Sequence, residues 1–284
     1  MKAAAFDYRS PDSVQHAAQL LAEGEGRAKL MGGGQSFGPM LNLRLTRPQT
    51  VVDVSRLAEM DGVTVADGHI QIGAGVTHAA VEDGLHAALR EHPMREVAAG
   101  IAYRAIRNRG TLGGSLAHAD PAADWIVTLT ALHAQLTLRS PRGTRSIAME
   151  DFMQAAYTTA LAVDEVIVAV RVPQASPASR WGYHKFCRKP GEFAEASAAV
   201  WQERAGTTPR IVLGALDGAP LQLAALAQSI ASHGAPSRDA IAAAVHSALP
   251  GRDPVDKQWH TVCLSRALAQ AGLAAPARRA EAHA

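Results

Sequence analysis

Apolar residues along this chain recur with two periods, and the switch between them marks out the elements. Val14, Ala17, Ala18 and Leu21 repeat at helical spacing until Gly24. They predict an amphipathic helix with Ser10 as N-cap and Pro11 in its first position. Residues 27–31 make a short strand that runs into Gly32, Gly33 and Gly34. Residues 50–54 read as a strand, and 69–76 as another, in which Ile70, Ile72, Ala74 and Val76 alternate. Thr77 then caps a helix whose apolar stripe is Ala80, Val81, Leu85, Ala88 and Leu89. A second glycine loop, residues 110–114, precedes a helix opened by Asp120-Pro121, with Ile126, Leu129 and Leu132 on one face.

After that helix the pattern changes. Residues 135–139 and 164–172 are strands, the second almost continuously apolar, as a strand covered on both faces should be. Pro173 and Pro177 bracket a small polar linker, the best boundary in the chain. Strands at 180–186, 194–202 and 210–216 follow, then Ala-rich helices at 221–232 and 239–249 and a last helix at 255–271. The Ala/Arg/Pro-rich tail, 274–284, reads as a mobile end. The layout is α+β. A mixed domain covers 1–176, and 177–284 holds a three-stranded antiparallel sheet with a helical cap.

Composition narrows the classes. With 48% hydrophobic and 19% charged residues, the 284-residue chain is not disordered, and it can bury a sizeable core. A formal charge of +2 gives no electrostatic reason for a nucleic-acid or membrane partner. No window approaches the roughly 20 apolar residues of a membrane span; the longest, 125–138, is broken by Thr128, Thr130, His133 and Gln135. The first residues, MKAAAFDYRSPDS, lack a signal-peptide core, so a soluble cytoplasmic protein is expected. Cys187 and Cys263 cannot form a four-thiolate cluster, and the histidines show no HExxH pair, so no metal site is expected.

The chemistry concentrates in the glycine stretches. Gly32, Gly33 and Gly34 let the backbone approach a ligand without β-carbons in the way, and such a run of amides suits phosphate oxygens. The nucleotide signatures fail, however. Phe37 stands where a Rossmann fingerprint wants its third glycine, and Pro39-Met40 stands where a P-loop needs Lys and Ser/Thr. A lone glycine stretch is equally a tight turn. The second, Thr111-Leu112-Gly113-Gly114-Ser115, changes the balance, because two such loops can grip a dinucleotide's two phosphates from both sides.

Met31-Gly-Gly-Gly-Gln-Ser36, then Asn42-Leu-Arg-Leu45 and Val52-Asp-Val54, resembles the FAD-binding medium subunit of molybdenum hydroxylases. The run from Arg107 to Asp124, RNRGTLGGSLAHADPAAD, is similar to that family's second loop. These are the three-subunit relatives of xanthine dehydrogenase, including the carbon monoxide dehydrogenase flavoprotein. The resemblance covers nearly the whole chain. It implies a two-subdomain FAD-binding fold of the vanillyl-alcohol-oxidase (PCMH) type, with subdomains about 1–57 and 58–176 and the family's C-terminal domain after 177. It also implies non-covalent FAD, with molybdenum cofactor and 2Fe-2S clusters on a large and a small partner subunit in a dimer of heterotrimers.

The cofactor-binding set that the resemblance implies begins with Leu30, Met31, Gly32, Gly33, Gly34, Gln35, Ser36 and Phe37. Gly110, Thr111, Gly113, Gly114 and Ser115 face them across the diphosphate. Ile101, His118 and Asp120 lie nearby, Asp124 near the ribityl or phosphate region, and Ile167 near the adenine. Lys185 matches a family lysine near the flavin ring, and Phe193 stands where an aromatic often covers it. Read from the residues alone, Asp120 is an N-cap, Asp124 a first-turn acid and His118 a polar loop histidine. Arg104, Arg107 and Arg109 form a solvated basic face, dock a partner or screen phosphate. A lysine near the pyrimidine end of a flavin stabilises its reduced anion.

No nucleophilic set is present, and a flavin needs none. The function implied is electron transfer: electrons arrive singly from an iron–sulfur subunit and leave to an external acceptor, while substrate is selected on another chain. A stand-alone FAD-dependent oxidase or reductase is the enzymatic alternative, and a non-catalytic nucleotide-binding scaffold the alternative from another class.

Overall fold

A computed structural model describes residues 2–274, so the tail expected to be mobile lies, past Ala274, outside the described residues. The chain opens with β1 (Asp7–Arg9) and α1 (Val14–Glu23). Ser13, not Ser10, caps α1: its hydroxyl accepts from the His16 N–H at 3.2 Å, and Pro11 lies before the cap. Both serines precede the same apolar stripe, and the cap falls to the one whose extended backbone aims its oxygen at the first turn. The stripe itself, Val14, Ala17, Ala18 and Leu21, is buried as the spacing predicts. β2 (Ala28–Met31), α2 (Phe37–Asn42) and β3 (Thr50–Asp53) follow. The strands form a parallel sheet in the order β1–β3–β2, with Met31 beside Asp53 at the carboxyl ends.

β4 (Val63–Ala66) and β5 (His69–Gly73) pair as a hairpin. Thr77 caps α3 (His78–Glu82) through the Ala80 N–H at 3.1 Å, as the sequence predicts. The helix stops short of the expected stripe. Gly84 turns the chain at a φ of +63°, Leu85 is exposed, and Leu89 reaches the core from a separate turn, Ala87–Leu89. α4 (Met94–Ala99), α5 (Arg104–Arg107), α6 (Leu112–His118) and α7 (Asp124–Ala131) come next. Asp120 opens no helix. Its Oδ1 accepts from the Ala122 N–H at 2.9 Å in a turn, and α7 starts four residues later, at Asp124.

β6 (Gln135–Ser140), β7 (Gly143–Ala148), α8 (Met149–Phe152), β8 (Met153–Ala155), β9 (Thr158–Thr159) and β10 (Val166–Pro173) complete the N-terminal part. A five-stranded antiparallel sheet runs β4–β5–β10–β6–β7. Its edge strands β4 and β7 are largely exposed and show no clean apolar alternation; ladder bonds to β5 and β6 make them strands.

β11 (Arg180–Phe186), β12 (Ala196–Gln202), β13 (Arg210–Gly214) and β14 (Leu221–Gln222) form a four-stranded antiparallel sheet, one strand more than expected. Leu221 pairs with Leu213 and Gln222 with Val212, so the helix expected from 221 starts instead at Ala224, as α9 (Ala224–His233). A two-residue strand is made by backbone pairing and leaves no side-chain period to read. α10 (Arg238–Ala248) and α11 (Pro254–Gln270) end the fold, the latter capped by Asp253 with Pro254 in the first turn. All seven residues of β12 are buried, because α7 packs against this sheet and α11 against β11 and β12. α7 is likewise buried at every position, not only along one face. Among the described residues no helix is long and apolar enough to cross a membrane.

Candidate functional site

β2 and β3 end side by side, and the glycine stretch leaves directly from β2 at Leu30 and Met31. Gly34 takes a φ of +73°, and the Gln35 side chain closes the loop by donating to the Gly33 carbonyl at 3.0 Å. From Gly32 to Phe37 no backbone N–H donates to a protein acceptor among the described residues. Six consecutive amides, at the carboxyl end of a parallel sheet, are therefore available to an anion. Ser36 lies exposed at the start of α2, and its hydroxyl makes no cap bond.

The second stretch meets the first by contact. A β-carbon on Gly33 would stand 1.8 Å from the Arg109 carbonyl oxygen and 2.9 Å from the Gly110 Cα. One on Gly32 would stand 3.0 Å from Thr111 Oγ1. Only glycine allows this backbone-on-backbone approach, which joins segments remote in sequence.

The second stretch is not a matching amide loop, however. Leu112 and Gly113 donate to the Val76 and Ala74 carbonyls at 3.0 and 2.8 Å, and Gly114 donates to Thr111 Oγ1 at 3.1 Å. Thr111 is the N-cap of α6, and Gly113 is buried against Ala74. Sequence shows paired glycines in both stretches; only the partners of their amides separate an open cradle from a helix first turn. Outward-facing groups here are Gly114 and Ser115. His118, half-buried, lies with its ring 5.3 Å from that of Tyr157, whose hydroxyl donates to Asp120 Oδ2 at 3.2 Å. Tyr157, exposed and outside any recognisable motif, gave no sequence signal.

Asp124 forms the other polar centre. In the first turn of α7 and 7% exposed, it receives Lys185 Nζ and Tyr183 Oη, each at 2.7 Å, on the same oxygen, Oδ1. Lys185 Nζ also donates to the Gly100 carbonyl at 2.9 Å. The lysine is therefore neither solvated nor a free charge: it ties β11 to α7 and to the end of α4. Tyr183 was not legible as a site residue, since an aromatic two positions before a lysine on a strand is ordinary core.

Arg104 and Arg107 are held in ion pairs, whereas Arg109 is exposed with no side-chain partner among the described residues. Arg107 donates to both Glu82 oxygens and to the Ile101 and Ala102 carbonyls at 2.8 and 2.9 Å. Arg104 holds Asp83 and Glu82, and keeps the Asp83 carboxyl below its ordinary range. The turn that Arg107 pins carries Ala102 at a φ of +44° and presents Ile101 and an exposed Tyr103. Gly191 packs against Ala102 and Tyr103, while Phe193 on the same segment is 64% exposed. Ile167 is buried in the main core and paired with Leu138 where β10, which packs against α6, shifts register.

Beside this region two histidines are locked neutral. His78 Nδ1 accepts the Trp125 indole N–H at 3.0 Å, and burial together with the charge of Arg107 lowers its pKa to about 4. His92 is held between the Pro173 carbonyl and the Met94 N–H, and burial lowers its pKa to about 4 as well. The unfolded chain protonates both near 6.5, so it binds more protons than the folded chain between pH 6.5 and 4. Their stabilisation is complete above that window and is lost as pH falls through it, about 2 kcal/mol for each at pH 5. Urea midpoints should drop between pH 7 and 5, and His92→Gln should flatten the slope. Equal midpoints at both pH values would contradict this.

The comparisons with known proteins bear on the whole chain. Residues 4–175 match the family described as FAD binding domain in molybdopterin dehydrogenase. The 6-hydroxypseudooxynicotine dehydrogenase complex subunit alpha of Paenarthrobacter nicotinovorans is 38% identical over 258 residues, 90% of this chain and 87% of that protein. The nicotine 6-hydroxylase medium subunit of the same organism is 39% identical over 202 residues, 70% of each. Among solved structures, a carbon monoxide dehydrogenase from Hydrogenophaga pseudoflava, lacking the Mo-pyranopterin moiety of its molybdenum cofactor, superposes with a TM-score of 0.88 at 31% identity. That match covers 96% of this chain and 99% of the other.

Proposed function

The chain belongs to the family of FAD-binding domains of molybdopterin dehydrogenases, and from that premise we propose that it is the electron-transfer subunit of a three-subunit molybdenum hydroxylase. It is an oxidoreductase subunit of the medium-chain type, and its cofactor is FAD. In the proposed reading it takes electrons from a 2Fe-2S subunit, passes them to an external acceptor, and leaves hydroxylation to a large molybdenum-cofactor subunit. Two such heterotrimers pair, and the assembly is cytoplasmic. The fold is of the vanillyl-alcohol-oxidase type, with FAD held between residues 1–57 and 58–176, and a C-terminal domain from 177.

The carrying observation is the open amide run from Gly32 to Phe37, seated directly on the Arg109–Thr111 backbone. A dinucleotide diphosphate has the charge and size for such a cradle. Gly32–Ser36 would hold it through backbone N–H groups, with Thr111, Gly114 and Ser115 alongside. Asp124 and Lys185 lie where the domains meet. Asp124 would accept from a cofactor hydroxyl, and Lys185 has one ammonium hydrogen beyond its two bonds. Because Asp124 neutralises that ammonium, Lys185 would act on the ring through this hydrogen more than through an isolated charge. Bound there, FAD would link single-electron donors to two-electron acceptors. That similar chains carry the names of nicotine and of carbon monoxide enzymes supports a role independent of substrate.

Purification from the source organism provides the test. A yellow protein that co-purifies with a large molybdenum protein and a small 2Fe-2S protein is expected, with flavin bleaching when the small protein is reduced. A yellow chain that turns over alone would favour the stand-alone oxidase, and a colourless chain that does not take up FAD would leave a scaffold.

A further inference from the structure

We infer that Tyr183 is a positioning residue: its hydroxyl loads one oxygen of Asp124 so that the other is held toward the cofactor cleft. The inference rests on the proposed FAD site and adds to it a residue that does not itself touch the cofactor.

Both donors to Asp124 converge on Oδ1, Tyr183 Oη and Lys185 Nζ each at 2.7 Å. Oδ2 has no hydrogen-bond partner among the described residues, and it is not among the fully buried unpartnered atoms, so it keeps some exposure and is free to accept from a ligand. A carboxylate is symmetric and rotates about its last bond, so something must break the symmetry if one oxygen is to face a ligand. Lys185 alone does not, because an ammonium on a flexible stem can straddle both oxygens and abandon the Gly100 carbonyl. The phenol does. It is rigid, and its ring stacks on Trp181 with centroids 6.5 Å apart and planes 18° apart. Its backbone N–H is also tied to Gln270 Oε1 at 2.8 Å. Burial, and after it the Asp124 charge, push the phenol well above its usual range, so it donates at every working pH. Tyr183 and Lys185, two apart on β11, share the face turned to α7.

The test is a cycle on the full chain, stripped of flavin and titrated with FAD by fluorescence. Tyr183→Phe should raise the dissociation constant about tenfold, the value of the one charge-assisted hydrogen bond that a misoriented Asp124 would no longer make to the cofactor. At saturating FAD it should also shift the resolved visible absorption band. In an Asp124→Asn background, where the amide fixes its own orientation, Tyr183→Phe should add almost nothing. Gln270→Leu, which frees the Tyr183 backbone without touching Asp124, is expected to cost about threefold and serves if Tyr183→Phe does not fold. A Tyr183→Phe loss that repeats in full without Asp124, or no loss at all, overturns the positioning role. Failure of the unsubstituted chain to bind FAD overturns the proposed function itself, and the inference with it.

Discussion

Gly33→Val should yield a folded chain that binds FAD at least roughly 100-fold more weakly, since several charge-assisted amide contacts are lost together. A β-carbon at this position falls 1.8 Å from the Arg109 carbonyl oxygen and 2.4 Å from its carbon, so no side-chain adjustment accommodates it. The loop has to lift from the Arg109–Thr111 backbone, and the amides from Gly32 to Phe37 then no longer share a surface with Thr111 and Ser115. The damage stays local because the loop is half-exposed and lies outside both hydrophobic cores. Circular dichroism and the thermal midpoint should remain near those of the parent while FAD titration flattens. Full FAD retention in this variant would remove the cradle as a binding element.

Gly113→Val, chemically the same change, should fail differently. Its β-carbon meets the Ala74 β-carbon at 2.6 Å and the Ala74 carbonyl oxygen at 3.0 Å, where α6 sits on the segment just past β5. The Gly113 N–H that donates to that carbonyl, and the Leu112 N–H that donates to Val76, are displaced with it. Overpacking at such a junction costs about 3 kcal/mol, roughly 6–9 °C of thermal midpoint, whether or not FAD is present. A midpoint unchanged from the parent, combined with lost FAD, would show that Gly113 faces the ligand after all. The two variants together separate a ligand-facing glycine from a core-packing one.

Much of the site was readable because its motifs depend on local chemistry. Three consecutive glycines between a strand and a short helix mark bare backbone, informative once a second such stretch accompanies them, and a Thr before an apolar helical stripe marks a cap. Thr77 caps its helix where the sequence places a hydroxyl before an apolar run, whereas the Thr111 and Asp253 caps emerge only in the structure. Strands β11 and β10 were legible from their apolar content. Strand β14, helix α3's early stop at Gly84 and the cap shift to Ser13 were not, because each turns on backbone pairing or geometry that several residues satisfy equally well.

Lys185 and Asp124 illustrate the boundary. Sequence marks both as functional candidates by resemblance, yet nothing along the chain says that one neutralises the other, because their meeting requires β11 to lie across α7. The same holds for Arg104 and Arg107, whose charges look free until α3 brings Glu82 and Asp83 beside them. By itself, then, the sequence determined most of the longer helices and strands, where backbone is bare of side chains, and what family the chain belongs to. The tertiary structure decided which bare amides remain open, which charges cancel, and which oxygen of Asp124 is left over. Those outcomes depend on hydrogen-bond partners and packing distances between distant segments, and short-range pattern carries no information about them.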